Sequence, residues 1–136
     1  AAYRYFRQNA VKDAQIAVIS SIAGTKGLGA APAYSATKRM QNCYIQSLAQ
    51  QCAITKTDIA FTDIRPGFVA TPLLDTQTHH YPMLMSTPYA ARRIVRAILA
   101  RRRVAVIDWR YAILVAVWRC IPRWLWERLP IKAAEK

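Results

Sequence analysis

The chain has 136 residues, of which 54% are hydrophobic and 20% are charged, a composition typical of a globular domain. This length is enough for one domain with a modest core. The longest apolar stretch, Tyr111 to Trp118, is far shorter than the roughly 20 residues of a membrane-spanning helix. The sequence also shows no basic and apolar leader, so we expect no signal peptide and a cytoplasmic protein.

The net charge of +13 is unusual, and it is concentrated toward the C-terminus. From Arg92 onward, twelve Lys and Arg residues are accompanied by three acidic residues, so this part supplies nine of the thirteen positive charges. A basic surface of this kind suits an anionic membrane, nucleic acid or a phosphorylated cofactor. Cys43, Cys52 and Cys120 show no paired spacing, which favours reduced thiols over a metal or disulfide framework.

The order of the predicted elements is typical of a parallel α/β sheet. Short β-branched apolar runs predict strands at Gln15–Ser20, Asp58–Ile64 and Val104–Ile107. Helices are predicted within Ala2–Lys12, over Ala33–Gln51, and from Thr87 to about Ala100. Alternation of strands and helices predicts the α/β class, with fewer strands than the six or more of a complete doubly wound sheet.

Tyr34 and Lys38 lie four residues apart at the start of the longest predicted helix, so their side chains should point the same way. An ammonium group beside a phenol stabilises the phenolate. Tyr34 is therefore a candidate proton donor or acceptor. The pair alone has little weight, because chance often produces this spacing in a chain of this composition.

Two polar segments follow predicted strands, at the carboxyl ends where ligands bind in open parallel sheets. Ser21 follows the first strand, thirteen residues before Tyr34, and a hydroxyl and a phenol there could bind one carbonyl oxygen. The alternative is a hydroxyl that merely ends a strand. After the second strand, the chain turns at Pro66-Gly67, and Thr71 offers a hydroxyl and a backbone N–H to a ligand. An ordinary turn is the alternative there.

Together these segments resemble the short-chain dehydrogenase/reductase family. The matching stretches are Ile19–Gly24, Tyr34–Lys38 and Arg65–Pro72, within a similarity that covers about residues 1–107. The resemblance implies an oxidoreductase that uses NAD or NADP and acts on a carbonyl or a secondary alcohol. It also implies a partial Rossmann-like parallel sheet, the C-terminal half of a doubly wound fold.

The resemblance further implies roles for individual residues. Ser21 would orient the substrate carbonyl, Tyr34 would transfer the proton, and Lys38 would promote the ionisation of Tyr34 and bind the nicotinamide ribose. The Pro66–Thr71 segment would contact the nicotinamide end of the cofactor. The residues expected to contact the cofactor are therefore Tyr34, Lys38, Pro66, Gly67, Val69 and Thr71.

Leu73–Met85 falls where the family has its mobile substrate loop. We therefore expect its distinctive side chains to face substrate or solvent, namely His79, His80, Met83 and Met85. Adjacent histidines could suggest a metal, but no carboxylate or cysteine lies near them at ligand spacing, so no metal site is expected.

The sequence departs from the family on the nucleotide side. The family opens with a strand and a Gly-rich turn that binds the pyrophosphate, and it has a further catalytic Asn on an earlier helix; neither matches these 136 residues. The glycines of Gly24–Gly29 run in another order and lack an acidic residue about 20 positions later. We therefore expect a fragment without the nucleotide-binding half.

Residues 109–136 are predicted to form a basic, aromatic tail after a catalytic half at 1–108, with helical stretches broken at Pro122 and Pro130. Arg and Trp interleaved with aliphatic residues are typical of a helix at a membrane surface. The alternative is a surface helix whose Trp side chains pack on the sheet. No recognition motif accompanies the basic residues, so no nucleic-acid partner is expected.

Three functions stay open from the sequence. The Ser21, Tyr34 and Lys38 set favours an NAD(P)-dependent oxidoreductase, whose partners would be a small carbonyl or alcohol substrate, lipid-like substrates included, and a second copy in a homo-oligomer. The missing nucleotide segment favours a non-catalytic remnant that serves as a binding or dimerisation module. The basic tail favours a peripheral protein of the membrane surface.

Overall fold

The structure, a computed structural model, describes residues 1–74 and 80–131. The strands are β1 (Ala14–Ile19), β2 (Ile59–Arg65) and β3 (Val104–Val106). The helices are α1 (Ala2–Gln8), α2 (Pro32–Ile54), α3 (Thr87–Leu99), α4 (Trp109–Cys120) and α5 (Arg123–Trp126), with a 3-10 turn at Ile22–Gly24. Each predicted strand and helix is present, and only the ends differ by a few residues.

The three strands form one parallel sheet in the order β1-β2-β3. Ile19 at the end of β1 is in register with Ile64, and Asp63 is in register with Val104 of β3. The middle strand β2 is buried along most of its length, as a central parallel strand with covered faces should be. The predicted α/β class with a partial parallel sheet is confirmed, and the carboxyl ends of the strands meet at one edge.

Helices cover both faces of the sheet and give two apolar clusters. Side chains alternate along β2, so Ile59 and Phe61 pack with α2, whereas Ile64 packs on the opposite side. The α2 cluster also contains Ala14, Ile45 and Cys52. The second cluster contains Met85, Ala90, Ala97, Tyr111, Val115 and Trp118.

The helix α4 is part of the second cluster and therefore of the same core as the sheet. It buries Tyr111, Val115 and Trp118, whose spacing of three to four residues places them on one helical face. The sequence-based alternative in which tail tryptophans pack on the fold therefore holds for Trp118. By contrast, Trp109 and Trp124 are exposed.

Asp108 sets the start of α4. Its φ of 73° is in the left-handed region, which Asp tolerates better than most residues. The buried carboxylate accepts the backbone N–H of Arg110 at 2.9 Å and pairs with the Arg110 guanidinium at 3.0 Å. Hydrogen bonding to this guanidinium holds the pKa of Asp108 below its ordinary value, although burial acts in the opposite direction.

We expect Asp108→Asn to lower the free energy of unfolding near pH 7 and to lower it less as the pH falls. A carboxyl whose pKa is lowered by folding stabilises the folded state above its unfolded pKa of about 3.9. That stabilisation is lost as the pH falls through the folded-state value. Asn keeps the helix cap and tolerates a positive φ, so the comparison isolates the charge. Urea denaturation of both proteins between about pH 7 and about pH 3 measures the difference.

Asp13→Asn is the matched control. Asp13 also has a positive φ, of 54°, but its side chain is 91% exposed and lies 3.8 Å from Arg101. Exposed ion pairs of this kind contribute at most about 1 kcal/mol, so this variant should change the free energy of unfolding less than Asp108→Asn near pH 7. A deficit for Asp108→Asn that stays constant down to about pH 3 would contradict the assignment.

Candidate active site

The carboxyl ends of β1 and β2 stay joined beyond the last paired strand residues. The Ser20 N–H donates to the Ile64 carbonyl at 2.8 Å, and the Ile22 N–H donates to the Pro66 carbonyl at 3.1 Å. These bonds attach the loop after β1 to the turn after β2. The two polar segments that the sequence places after separate strands therefore lie side by side.

A buried ion pair lies at this junction. The Arg65 guanidinium donates to one carboxylate oxygen of buried Asp63 at 2.6 and 2.8 Å, and the Ser20 hydroxyl donates to the other at 2.5 Å. A buried carboxylate needs partners of this kind to offset its lost hydration. Neither Ser20 nor Asp63 is predicted from the sequence motifs to have a role, and the available signal was a hydroxyl and an acid near the ends of neighbouring strands.

Ser21 lies at the start of the loop that follows β1, and it is buried. Its hydroxyl oxygen accepts the Ala23 N–H at 3.1 Å, as the cap of the 3-10 turn, and the hydroxyl donates to the Pro66 carbonyl at 3.4 Å. The hydroxyl therefore has a local structural role, as the strand-ending alternative proposed. Its long bond to Pro66 also shows that it lies directly between the two loops.

Tyr34 and Lys38 lie on one face of α2, as their spacing predicts. The Lys38 ammonium lies 5.6 Å from the centroid of the Tyr34 ring and donates to the Ile19 carbonyl at 3.3 Å. Ile19 is the last residue of β1, two positions before Ser21. Tyr34 is 43% exposed, so its ring can be reached from solvent. The structure thus brings Lys38 to the strand end that carries Ser21, with Tyr34 one helical turn away.

The loop after β1 packs closely on α2 because position 24 is a glycine. A Cβ atom at Gly24 would lie 2.7 Å from the backbone of Lys38 and 2.6 Å from the Asn42 side chain. The Arg39 guanidinium also donates to the Gly24 carbonyl at 3.3 Å. The loop that begins with Ser21 and the helical turn that carries Lys38 therefore form one packed unit.

The Pro66–Thr71 segment is held by a residue that the sequence analysis missed. The hydroxyl of buried Tyr111 accepts the Phe68 N–H at 3.0 Å and donates to the Pro82 carbonyl at 2.9 Å. Its ring lies flat against Gly67, where a Cβ atom would be 2.2 Å from a ring carbon. Burial raises the pKa of Tyr111, which favours the neutral phenol that donates this bond.

Val69 and Thr71 lie further along the same segment. Val69 forms an isolated parallel bridge with Met85, and the Ala70 N–H donates to the Met85 carbonyl at 2.9 Å. The Thr71 carbonyl accepts the Leu74 N–H at 3.0 Å. The structure therefore joins Pro66 to Ser21 directly, whereas the backbone hydrogen bonds of Phe68, Ala70 and Thr71, on either side of Val69, run toward the following loop.

The predicted substrate loop, Leu73–Met85, is described only in part, and His79 lies outside the described residues. His80 is exposed, as expected, and Met83 is half-buried. Met85, however, is 2% exposed and belongs to the cluster of α3 and α4. The expectation that Met85 faces substrate or solvent is wrong, because its bridge to Val69 turns this residue into the core.

The C-terminal helices bind the far end of the Ser21 loop. The Trp118 indole N–H donates to the Thr25 hydroxyl at 2.9 Å, and the Trp126 indole N–H donates to the Gly27 carbonyl at 2.6 Å. The two indoles pack edge to face with centroids 5.7 Å apart. The Lys26 ammonium lies 4.7 Å from the Trp126 ring centroid and donates to the backbone at the end of α4. We call Trp118 and Trp126 the loop clamp.

The donors at this edge fit the ribose end of a nicotinamide cofactor. The Lys38 ammonium lies 5.6 Å from the centroid of the partly exposed Tyr34 ring and is bonded to the carboxyl end of β1, where ligands bind in open parallel sheets. An ammonium and a phenol can both donate to the hydroxyl oxygens of a sugar. Ser21, which is bonded to the Pro66 carbonyl, lies at the end of the same strand.

Comparison with known protein families decides the assignment. A family profile described as short chain dehydrogenase matches residues 1–82. The chain belongs to the short-chain dehydrogenase family. The matched range of this dehydrogenase chain contains Ser21, Tyr34, Lys38 and the Pro66–Thr71 segment, and the resemblance inferred from those motifs is confirmed.

Two relatives of this short-chain dehydrogenase chain are known as uncharacterized oxidoreductases. One, from Myxococcus xanthus, is 29% identical over 109 residues, which cover 80% of this chain and 42% of the relative. The other, from Mycobacterium tuberculosis, is 28% identical over 115 residues, which cover 85% of this chain and 45% of the relative. The chain thus spans less than half the length of these curated relatives.

In this short-chain dehydrogenase chain we expect Gly24→Ala to lower the free energy of unfolding by about 1–3 kcal/mol, the usual range for overpacking. The added methyl group would overlap the backbone of Lys38, which cannot move as a flexible side chain could. Gly27→Ala is the control, because no atom lies within 4 Å of its added Cβ and its φ is not positive. The control should be neutral or stabilising by up to about 1 kcal/mol. Urea denaturation midpoints report both changes, and equal midpoints for the two variants would refute the close packing.

Proposed function

We propose that this chain is the catalytic part of an NAD(P)-dependent oxidoreductase that interconverts a carbonyl compound and a secondary alcohol. The position of Lys38 carries the proposal, since its ammonium lies 5.6 Å from the Tyr34 ring centroid and also bonds the end of β1. Ser21 is two residues beyond that bond. Membership of the short-chain dehydrogenase family and the oxidoreductase relatives support the class of reaction.

In the proposed reduction, the Tyr34 hydroxyl gives its proton to the substrate oxygen. A nicotinamide cofactor held beside Tyr34 and Lys38 would provide the hydride for reduction, or take it up in the reverse direction. The Ser21 hydroxyl exchanges its long 3.4 Å bond to the Pro66 carbonyl for a bond to the substrate oxygen. A weak internal bond of this length costs little to replace, so the structural role of Ser21 is compatible with substrate binding.

Lys38 has two tasks in this proposal. Its positive charge lies near the Tyr34 ring and would offset the negative charge that proton transfer leaves on the tyrosine oxygen. Its ammonium has three donors, of which the Ile19 carbonyl takes one, so donors remain for ribose hydroxyls. The bond to Ile19 also limits the freedom of a long side chain, which lowers the entropy lost on binding.

The Pro66–Thr71 segment would border the nicotinamide ring. Tyr111 holds this segment through the Phe68 N–H and through the face of Gly67, so the segment is fixed before a cofactor arrives. Preorganised backbone of this kind reduces the ordering cost of binding. In this proposal, one side of the site consists of backbone that is already ordered, at Pro66, Gly67, Val69 and Thr71.

We expect Tyr34→Phe to lower kcat by about 10²-fold or more in an active protein that contains this chain, because positioned proton donors contribute about 10²–10⁴-fold. The rate would be measured as the loss of NADH or NADPH absorbance with a panel of aliphatic and aromatic ketones. Tyr44→Phe is the matched control, since Tyr44 lies on the same helix and is exposed. A Tyr34→Phe protein that keeps a tenth or more of the rate would assign proton transfer to another group.

We expect the 136-residue chain alone to show no turnover and to bind NADH and NADPH more weakly than micromolar. Pyrophosphate binding in this architecture uses a helix N-terminus and close backbone approach through glycines. The four glycines of this sequence do not form such a turn. Calorimetric titration with each nucleotide tests the expectation, and micromolar affinity for either nucleotide would refute it.

A further inference from the structure

The helix α4 has a second apolar face, which points outward. Trp109, Ile113 and Val117 are spaced by four residues and are 65%, 55% and 59% exposed. On a helix this spacing gives one row about 12 Å long, on the side away from the face that is buried in the core. A helix that joins a core normally presents polar residues to solvent, so the outer row is not explained by packing within the chain.

Exposed apolar side chains also occur in the segment after α4. Trp124 is 62% exposed, and Leu125, Leu129 and Ile131 are 37–41% exposed, whereas Ile121 and Trp126 pack against the core. We call the following set the outer apolar surface: Trp109, Ile113, Val117, Trp124, Leu125, Leu129 and Ile131. So many large apolar groups within 23 residues of sequence are typical of a surface that binds another apolar body.

Positive charge accompanies the outer apolar surface. Four arginines lie within residues 109–131, and two of them form ion pairs, Arg110 with Asp108 and Arg123 with Glu127. Within residues 1–74 and 80–131, Arg119 and Arg128 form no ion pair with a carboxylate. The Arg128 guanidinium lies 5.9 Å from the ring centroid of exposed Trp124, so charge and apolar surface are adjacent.

We propose that the outer apolar surface docks on an anionic lipid bilayer. Indole rings favour the boundary between headgroups and acyl chains, and arginine attracts anionic headgroups. The net charge of +13, of which nine charges come from Arg92 onward, complements such a surface. The same charge opposes contact with a second copy, because two basic faces repel each other.

A nucleic acid would satisfy the charges but not the apolar row. Phosphates bind arginine, and bases stack on exposed indoles, but Ile113 and Val117 offer nothing that either group recognises. A bilayer uses both features, since binding of an interfacial helix combines apolar burial with attraction to anionic lipid. The observations therefore favour lipid over nucleic acid.

The docking would be peripheral. The inner face of α4 is fixed in the core by Tyr111, Val115 and Trp118, so the helix can lie along a bilayer but cannot enter it. Among the described residues, none of the helices combines the length and the apolar character that crossing a membrane requires. Only the outer row and the segment after it would reach the acyl chains.

The test is flotation of the 136-residue chain with vesicles of phosphatidylcholine alone and of phosphatidylcholine with phosphatidylglycerol. We expect binding to the anionic vesicles, with little binding to the neutral ones, and partial loss of binding as salt rises. The double variant Ile113→Ser/Val117→Ser should bind at least about tenfold more weakly, because two buried aliphatic side chains are lost from the contact. Arg119→Gln/Arg128→Gln should reduce the preference for anionic lipid, because each basic residue near the membrane contributes about 1 kcal/mol.

Ile54→Ser/Leu99→Ser is the matched control, since both residues are highly exposed apolar side chains outside the outer apolar surface. This control should bind like the original chain. If Ile113→Ser/Val117→Ser fails to fold by circular dichroism, Trp124→Ser on the short helix α5 takes its place.

Two results would overturn the proposal. The first is absence of vesicle binding by the original chain, and the second is equal vesicle binding by the outer-row variant and the control. If vesicle binding is absent, binding of the outer-row variant to single-stranded DNA and its sedimentation would show whether the surface serves another partner, either nucleic acid or a second copy.

Discussion

Asp63 lies buried at the end of β2, where Arg65 binds one carboxylate oxygen and the Ser20 hydroxyl binds the other. Removing a partner from a buried carboxylate strongly destabilises the folded protein. Because a shift of β1 along β2 would separate Ser20 from Asp63, this arrangement strongly favours one register of the two strands at their carboxyl ends. The bond from Ile22 to the Pro66 carbonyl continues that register into the loops. The closeness of Ser21 to Pro66 is therefore a consequence of satisfying one buried charge between two strands.

From this junction the site is completed from two sides. The helix α2 packs on the Ser21 loop at Gly24 and brings Lys38 to the end of β1. The helix α4 supports the other half, because the Tyr111 ring lies on Gly67 and its hydroxyl binds the Phe68 N–H. In both places a glycine allows the close contact. The groups proposed for proton transfer and cofactor binding thus lie on α2 or in loops that α2 and α4 hold in place.

The sequence was sufficient for features that depend on neighbouring residues. Strands followed from short β-branched runs, and the shared face of Tyr34 and Lys38 followed from a spacing of one helical turn. Tyr111 and the loop clamp were missed, because these contacts join distant positions and α4 is apolar around most of its circumference, so no periodicity marks its inner face. The prediction that Met85 faces substrate or solvent was wrong for a similar reason, since a single β-bridge in an irregular segment leaves no periodic pattern in the sequence. The roles of Ser21, Tyr34 and Lys38 stay predictions drawn from the family.

The loop clamp also affects how the protein is made. Trp118 binds a residue 93 positions earlier in the chain, and Trp126 binds one 99 positions earlier. At a synthesis rate of about 5–20 residues per second, the Ser21 loop leaves the ribosome roughly 5–20 s before its partners exist. During that interval, β1 and α2 can pair with β2 while Thr25 and Gly27 have no indole to bind. Translation that stops before Trp118 would therefore release a chain with every residue of the proposed catalytic set and an unsupported loop.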